Sequence, residues 1–350
     1  MSDERNKRGK AFSSSFIVPR SSLGYVSRPL ALAIVFVVAA LASVFVALVS
    51  GPFPISTRLV LDSVLFPVPG VVHDIIWQLR APRALAAFAC GGLLALAGAL
   101  LQALLRNALA DPYVLGVSGG AALGALLALV AGAGIAFLHA GALLGAACAI
   151  AIVFGLSFRT GEWDIYRLLL TGVVLAAGFS ALVSLTLVTA PQVQVKGMLF
   201  WLMGDLSYAD GSLASWLVLV VGTALAASGA RGLDLLALGD TKARSLGLPV
   251  KALQVAVFAL AAVATVAAVM LAGTVGFVGL MVPHAVRLLG VAAHRWLVPL
   301  SVMLGGIFLT VADTVARTVL APQQLPVGVL TAIIGVPLML WLLGRKRFAT

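Results

Sequence analysis

The sequence predicts an all-α polytopic membrane protein of about ten transmembrane helices, and three observations carry that prediction. The 350 residues are 62% hydrophobic and only 10% charged, whereas a soluble domain runs at about 25% charged. Runs such as 30–49 and 93–105 hold no ionisable group. These runs also lack the polar–apolar alternation of membrane barrel strands. Backbone groups in lipid must be satisfied internally, so such segments are helical.

A hydrocarbon core about 30 Å thick takes about 20 helical residues to cross. The first run of that length is 30–50. The 29 residues before it are basic and polar, with Arg5, Lys7, Arg8, Lys10, Arg20 and Arg28. They read as a cytoplasmic tail anchoring the first span, because 30–50 is longer than a cleaved signal needs. Spans two to five are expected at 83–104, 113–131, 138–158 and 167–189. The third and fourth are divided by a turn near Gly132-Ala133-Gly134, since 113–158 is too long to cross once. Spans six to ten follow at 212–230, 251–272, 276–290, 297–316 and 327–344. Here Gly273-Thr274-Val275-Gly276 makes the corresponding turn. The transmembrane domain is therefore expected over 30–345, with a cytoplasmic loop at 231–250 and a short cytoplasmic tail at 346–350.

An even number of spans puts both termini on one side. With both inside, 18 of the 23 lysines and arginines lie in the cytoplasmic segments. The other five, Arg58, Arg80, Arg83, Lys196 and Arg317, lie outside. That bias satisfies the positive-inside rule. It also explains the net charge of +11 without nucleic acid, since no aromatic side chains interleave with the basic ones. Glycines recur at helix-packing spacing, Gly116, Gly120 and Gly124 in one span and Gly141 and Gly145 in the next, where backbones can approach closely. Cys90 and Cys148 sit in apolar runs and read as small buried hydrophobes.

The span centres hold almost no ionisable groups, although these mark ion pathways and membrane active sites. His284 and Arg287 lie in the inner half of the eighth span. Asp313 and Arg317 share one face of the ninth at i,i+4 and can pair. No proton relay, metal cluster or nucleophile–base arrangement appears, and no cofactor is expected. No Gly-x-x-x-x-Gly-Lys-Ser/Thr phosphate loop occurs either. The loop 231–251 stands out. Around Leu238-Gly239-Asp240 and Ala243-Arg244-Ser245-Leu246-Gly247 it reads as two short helices. Gly239 ends the first, Asp240 caps the second, and Gly247 with Pro249 stops it. Its leucines, Leu235, Leu236, Leu238, Leu246 and Leu248, point to docking of a soluble partner.

Several blocks, in order, resemble the FecCD family of permeases from binding-protein-dependent ABC importers for iron-siderophores, haem and vitamin B12. They are Arg80-Ala81-Pro82-Arg83, the block 102–112, Leu115-Gly116-Val117-Ser118-Gly119-Gly120-Ala121, the block 238–249, Gly276-Phe277-Val278-Gly279 running to Pro283-His284, and Leu325-Pro326-Val327-Gly328. The resemblance covers about residues 75–345. It implies the ABC type II importer permease fold in the bacterial inner membrane, as a homodimer or a pair of close paralogues. It also implies two cytoplasmic ABC ATPase subunits and a periplasmic or lipid-anchored binding protein. By the same resemblance Arg80, Arg83 and Arg317 match binding-protein docking positions. Leu238, Gly239, Asp240, Ala243, Arg244, Leu246 and Gly247 match the ATPase-coupling helices. Asn107 and Leu109 match a loop that narrows the cytoplasmic exit. Thr171, Gly172, Thr331 and Gly335 fall on the fifth and tenth spans, which line the family's pathway. Two departures stand out: Ala108 replaces a usual proline, and 161–166 is acidic and aromatic beside the inner gate. The implied function is ATP-driven import of a metal chelate, most readily an iron(III)-siderophore, with haem or cobalamin as alternatives. A bare-metal importer would show ligating side chains in its spans, and an ion-coupled secondary transporter would need no ATPase.

Overall fold

The computed structural model describes residues 22–66, 69–132, 134–157, 165–207, 209 and 213–344. The expected terminal tails lie largely outside those residues, as does 161–164 beside the expected inner gate. Among the described residues the chain is helical, with no strand. Helix α1 spans Ser22–Val49, so it begins eight residues before the expected span and carries Pro29 within it. Helix α2 (Thr57–Leu65) lies in the first outer loop. Helix α3 (Val71–Asp74) passes through a π-helical turn, Ile75–Arg80, into α4 (Ala81–Leu105). A 3-10 turn, Pro112–Leu115, leads into α5 (Val117–Val130), followed by α6 (Ile135–Ser157) and α7 (Ile165–Thr189). Next come α8 (Gln192–Leu202), α9 (Leu213–Ser228), α10 (Ala230–Ala237) and α11 (Asp240–Ser245). The chain continues through α12 (Val250–Ala272), α13 (Val278–Leu288), α14 (His294–Thr318) and α15 (Val327–Gly344).

Six of these helices are long and apolar enough to cross a bilayer, and a seventh span forms if α9 and α10, bent by 63°, are counted together. The shorter apolar helices α5, α13 and α15, with α9, lie on the four other predicted spans. The eighth span is the one that differs in kind. Its 11-residue helix α13 covers only about half the hydrocarbon thickness at 1.5 Å per residue. The chain before it, 273–277, is not helical. Irregular backbone at membrane depth is tolerated where protein surrounds it, and here it is held: Asp205 N–H donates to Ala272 O at 2.8 Å, and Val275 N–H donates to Tyr113 Oη at 2.8 Å.

Helix α4 is the axis of the bundle, packed by α9, α12, α13 and α14. Small side chains make that possible. A Cβ on Gly91 would collide with the Gly305 carbonyl of α14, and one on Gly98 with the Gly279 carbonyl of α13. The predicted glycine face behaves the same way, with Gly120 against Gly145 and Gly124 against Gly141 joining α5 to α6. Gly116 is not part of that face; it takes φ +73° at the turn before α5 and packs on α7. Cys90 is buried as expected, but Cys148 is exposed on the subunit surface. A lipid-facing position is as apolar as a core position, so the run around Cys148 has the same composition in either place.

Candidate functional site

The residues singled out from sequence gather at the two ends of the α4–α14 pair. At the outer end, Arg83 and Arg317 share Asp313, and Arg80 lies close by at the end of α1. Arg83 Nε and Nη2 reach the Asp313 carboxylate at 2.8 to 3.1 Å, a bidentate pairing. Its Nη1 donates to Gln324 Oε1 at 2.8 Å and to Ser207 Oγ at 3.3 Å, tying in two outer loops. Arg317 Nε lies 3.1 Å from the other Asp313 oxygen, the expected i,i+4 pair. Arg317 Nη2 also donates to Ala47 O at 3.4 Å. Arg80 is only 4% exposed, and its guanidinium donates to the carbonyls of Leu48 and Val49 at 2.7 and 2.9 Å and to Phe53 O. It therefore satisfies the orphan carbonyls where α1 ends. The three arginines are brought together, and each is occupied inside the subunit.

At the cytoplasmic end the loop 231–251 forms the two short helices expected of it. Gly239 takes φ +104° and Gly247 φ +81°, each in the left-handed region just past a helix end, where a missing Cβ removes the strain. The second helix is not capped by Asp240. Gly239 is its N-cap, and Asp240, in the first turn, turns its carboxylate elsewhere. It accepts from Arg106 Nη2 at 2.8 Å and from Gln254 Nε2 at 3.3 Å. The leucines divide into two sets. Leu233 and Leu236 are buried against the bundle, with Leu235 and Leu248 packed beside them, and Ala243 is fully buried. Leu238 and Leu246, 56% and 62% exposed, face outward beside the exposed Lys242 and Arg244. The outward apolar surface of the loop is thus narrower than its leucine content implies. Helix α10 has a second tie: Asp234 Oδ1 accepts from His294 N–H at 3.0 Å and lies 2.6 Å from His294 Nδ1, at the start of α14.

Beside this face runs the turn expected to narrow the exit. Helix α4 ends on Arg106 in the left-handed conformation, φ 51°. Asn107 then closes a turn on itself: Leu109 N–H donates to Asn107 Oδ1 at 2.9 Å and Ala110 N–H to Asn107 O at 3.1 Å. These bonds hold the turn without the usual proline at Ala108. Leu109 is exposed. One turn back, Gln102 donates to Gly279 O and Leu280 O at 3.3 and 3.0 Å and accepts from Arg287 Nη1. The inner-half cation is therefore paired within the protein, as burial in lipid requires.

The four pathway residues do not form one open surface in the single subunit. Thr331 is fully buried, and its hydroxyl donates to Gly328 O at 2.9 Å. A side chain on Gly335 would strike Phe277, which carries φ 69° just before α13. Gly172 is buried against the Gly116 turn, and Thr171 is half-buried. Both helices expose large apolar side chains, Leu170, Val173 and Val174 on α7 and Ile333, Leu340 and Trp341 on α15, and α7 also exposes Arg167, Ser180 and Ser184.

Sequence reading missed the partners of Arg83, Asp240 and Asp234. Arg106 and Asp240 are 134 positions apart, and no periodicity links them.

Comparison with known proteins bears on this arrangement. Residues 35–345 match the model of the FecCD transport family. The chain belongs to the FecCD transport family. Its relatives include the cobalamin import system permease BtuC of Halobacterium salinarum, 38% identical over 307 residues that cover 86% of this chain and 82% of that one. The hemin transport system permease HmuU of Yersinia pestis is 39% identical over 288 residues, covering 79% of this chain and 86% of that one. Among solved structures, a metal-chelate-type ABC transporter described in an inward-facing conformation superposes with a TM-score of 0.77 at 29% identity. That match covers 91% of this chain and 99% of the other. The protein is accordingly a permease subunit of an ABC importer, a multi-pass protein of the inner membrane. It is not itself the ATPase, which is a separate subunit in this family.

Proposed function

We propose that this permease, paired as a homodimer, carries a metal chelate into the cytoplasm by alternating access, with no chemistry performed on the cargo. Two ATPase subunits dock on the cytoplasmic face and a binding protein delivers cargo from outside. The observation that carries the reading is the outward face of α10 and α11, where Leu238 and Leu246 stand exposed beside Lys242 and Arg244. An apolar contact rimmed by cations suits a soluble partner with an acidic-edged cleft. Residues 238–247 are the coupling surface in this reading, and Asn107 with Leu109 form the exit.

On the outer side, Arg83 is the best-suited docking charge of the three, because its side chain retains 12% exposure while Arg80 caps α1. Arg317 acts behind it, sharing Asp313. The apolar faces of α7 and α15 support pairing of two copies across a shared pathway. A low-polarity pathway fits a large cargo that brings its own metal ligands and must not be held tightly.

The relatives weigh on the cargo. Two are named for cobalamin and hemin, both metal macrocycles, so those two rank ahead of the iron-siderophore inferred from the family resemblance alone. The test is uptake of each of the three into proteoliposomes holding the complete importer. Saturable uptake of one or more supports the reading. Uptake of free metal ion in preference to all three would contradict it.

A further inference from the structure

We propose that the ion pair between Arg106 and Asp240 is the joint through which movement of the coupling helices reaches the cytoplasmic exit, which makes both residues positioning residues for gating. The inference rests on the functional reading above and names the part that transmits motion. Asp240 opens α11, the helix whose outer face presents Lys242, Arg244 and Leu246. Its carboxylate holds Arg106 Nη2 at 2.8 Å and Gln254 Nε2 of α12 at 3.3 Å. Arg106 is the last residue before the exit turn and sits at φ 51°, a conformation uncommon for any residue with a Cβ. From Arg106 the chain runs directly into Asn107 and Leu109.

Three features favour transmission over simple stabilisation. First, both partners are about a third exposed, 36% and 33%, and an ion pair so solvated adds little to stability. Second, the exit turn is otherwise closed on itself, through Leu109 N–H to Asn107 Oδ1 and Asn107 N–H to Gln102 O, so it moves as one piece with Arg106. Third, the guanidinium reaches the link between α10 and α11: a Cβ at position 239 would stand in ordinary contact with Arg106 Nη1, at 3.5 Å. A displacement of α11 therefore pulls on the carboxylate, the guanidinium and the exit turn in succession. The residue behind the turn, Gln102, bonds to α13 at Gly279, Leu280 and Arg287, which anchors the far side.

The experiment uses the complete permease–ATPase complex, with a Leu109→Cys thiol as reporter in a Cys148→Ser background. Its modification rate by a membrane-impermeant maleimide is measured with and without a non-hydrolysable ATP analogue. The parent should change rate by about fivefold or more, the lower end of an ordinary coupling free energy. Arg106→Ala and Asp240→Ala should each respond by less than about twofold, and Arg106→Ala, which lies outside the coupling surface, should still co-purify with the ATPase, since the pair is a weak stabiliser. The exchanged pair, Arg106→Asp with Asp240→Arg, should regain at least half the parent response, which a merely lost contact would not. Single variants that keep the full response would overturn the joint and leave the functional reading standing. A parent that never responds to nucleotide would instead remove the exit assignment, and the joint with it.

Discussion

Asp313 is the residue on which the outer end depends. It is buried, and it is the carboxylate shared by Arg83 and Arg317. Removing one partner of a buried ion pair leaves the other charge desolvated, at about 3–5 kcal/mol. Asp313→Ala should therefore lower thermal stability markedly in detergent, whereas Gln324→Ala, at the exposed rim of the same network, should change it by less than about 1 kcal/mol; thermal unfolding measures both. Arg83→Glu should weaken binding-protein docking by slowing association, with the deficit shrinking as salt rises; surface-immobilised kinetics at two ionic strengths would read this, and equal association rates would refute it. The sequence reading identified the three arginines and the Asp313–Arg317 pair. The i,i+4 spacing that links Asp313 to Arg317 can be read from sequence, but the contact from Arg83 crosses 230 positions and cannot.

At the scale of elements, two features position the site. One is the glycine contacts along α4. Where backbone meets backbone, as at Gly91 against Gly305 and Gly98 against Gly279, the neighbour has no side chain that can yield. Gly98→Val should displace α13 and with it Arg287, breaking the Gln102 contacts to α13 and costing about 3 kcal/mol or more; a variant that folds and unfolds like the parent would contradict the packing. The other is the α10–α11 pair. Leu246→Asp or Arg244→Glu should reduce ATPase association about tenfold, since each alters an exposed face and no buried contact. The same change at Ala243, which is buried, should destabilise the loop instead, and co-purification with the ATPase separates the two outcomes. The periodicity and stop signals of this loop were legible: both helices end at the glycines expected to end them. Asp240 was misread as a cap because capping is a local rule, and Arg106, a distant cation, takes its carboxylate instead.

At the scale of the molecule, α4 and α14 carry the outer arginine cluster at one end and the ties to the cytoplasmic helices at the other, Arg106 at the end of α4 and His294 at the start of α14. They touch backbone to backbone between these ends, at Gly91 and Gly305. The fold class and a helix on each of the ten predicted spans could be read from apolar runs, because length and hydropathy are dictated by the bilayer, although only six or seven of them are long enough to cross it alone. Which faces look inward could not. In lipid the outer surface is as apolar as the core, so α4, almost wholly buried, and α7, with few buried residues, have similar compositions. The broken eighth span escaped for a related reason: Phe277 in a left-handed conformation and the unwound 273–277 segment are held by contacts from α8 and Tyr113, not by local sequence.

The central claim is that this permease is driven by a separate ATPase acting through α10 and α11. It is tested most directly by cargo uptake into proteoliposomes containing the permease and binding protein, with and without the ATPase and ATP, and with proton and sodium gradients collapsed. The account predicts uptake only when ATPase and ATP are both present, independent of either gradient and abolished by Arg244→Glu in the coupling face. Uptake that persists without the ATPase and vanishes with a gradient would contradict it.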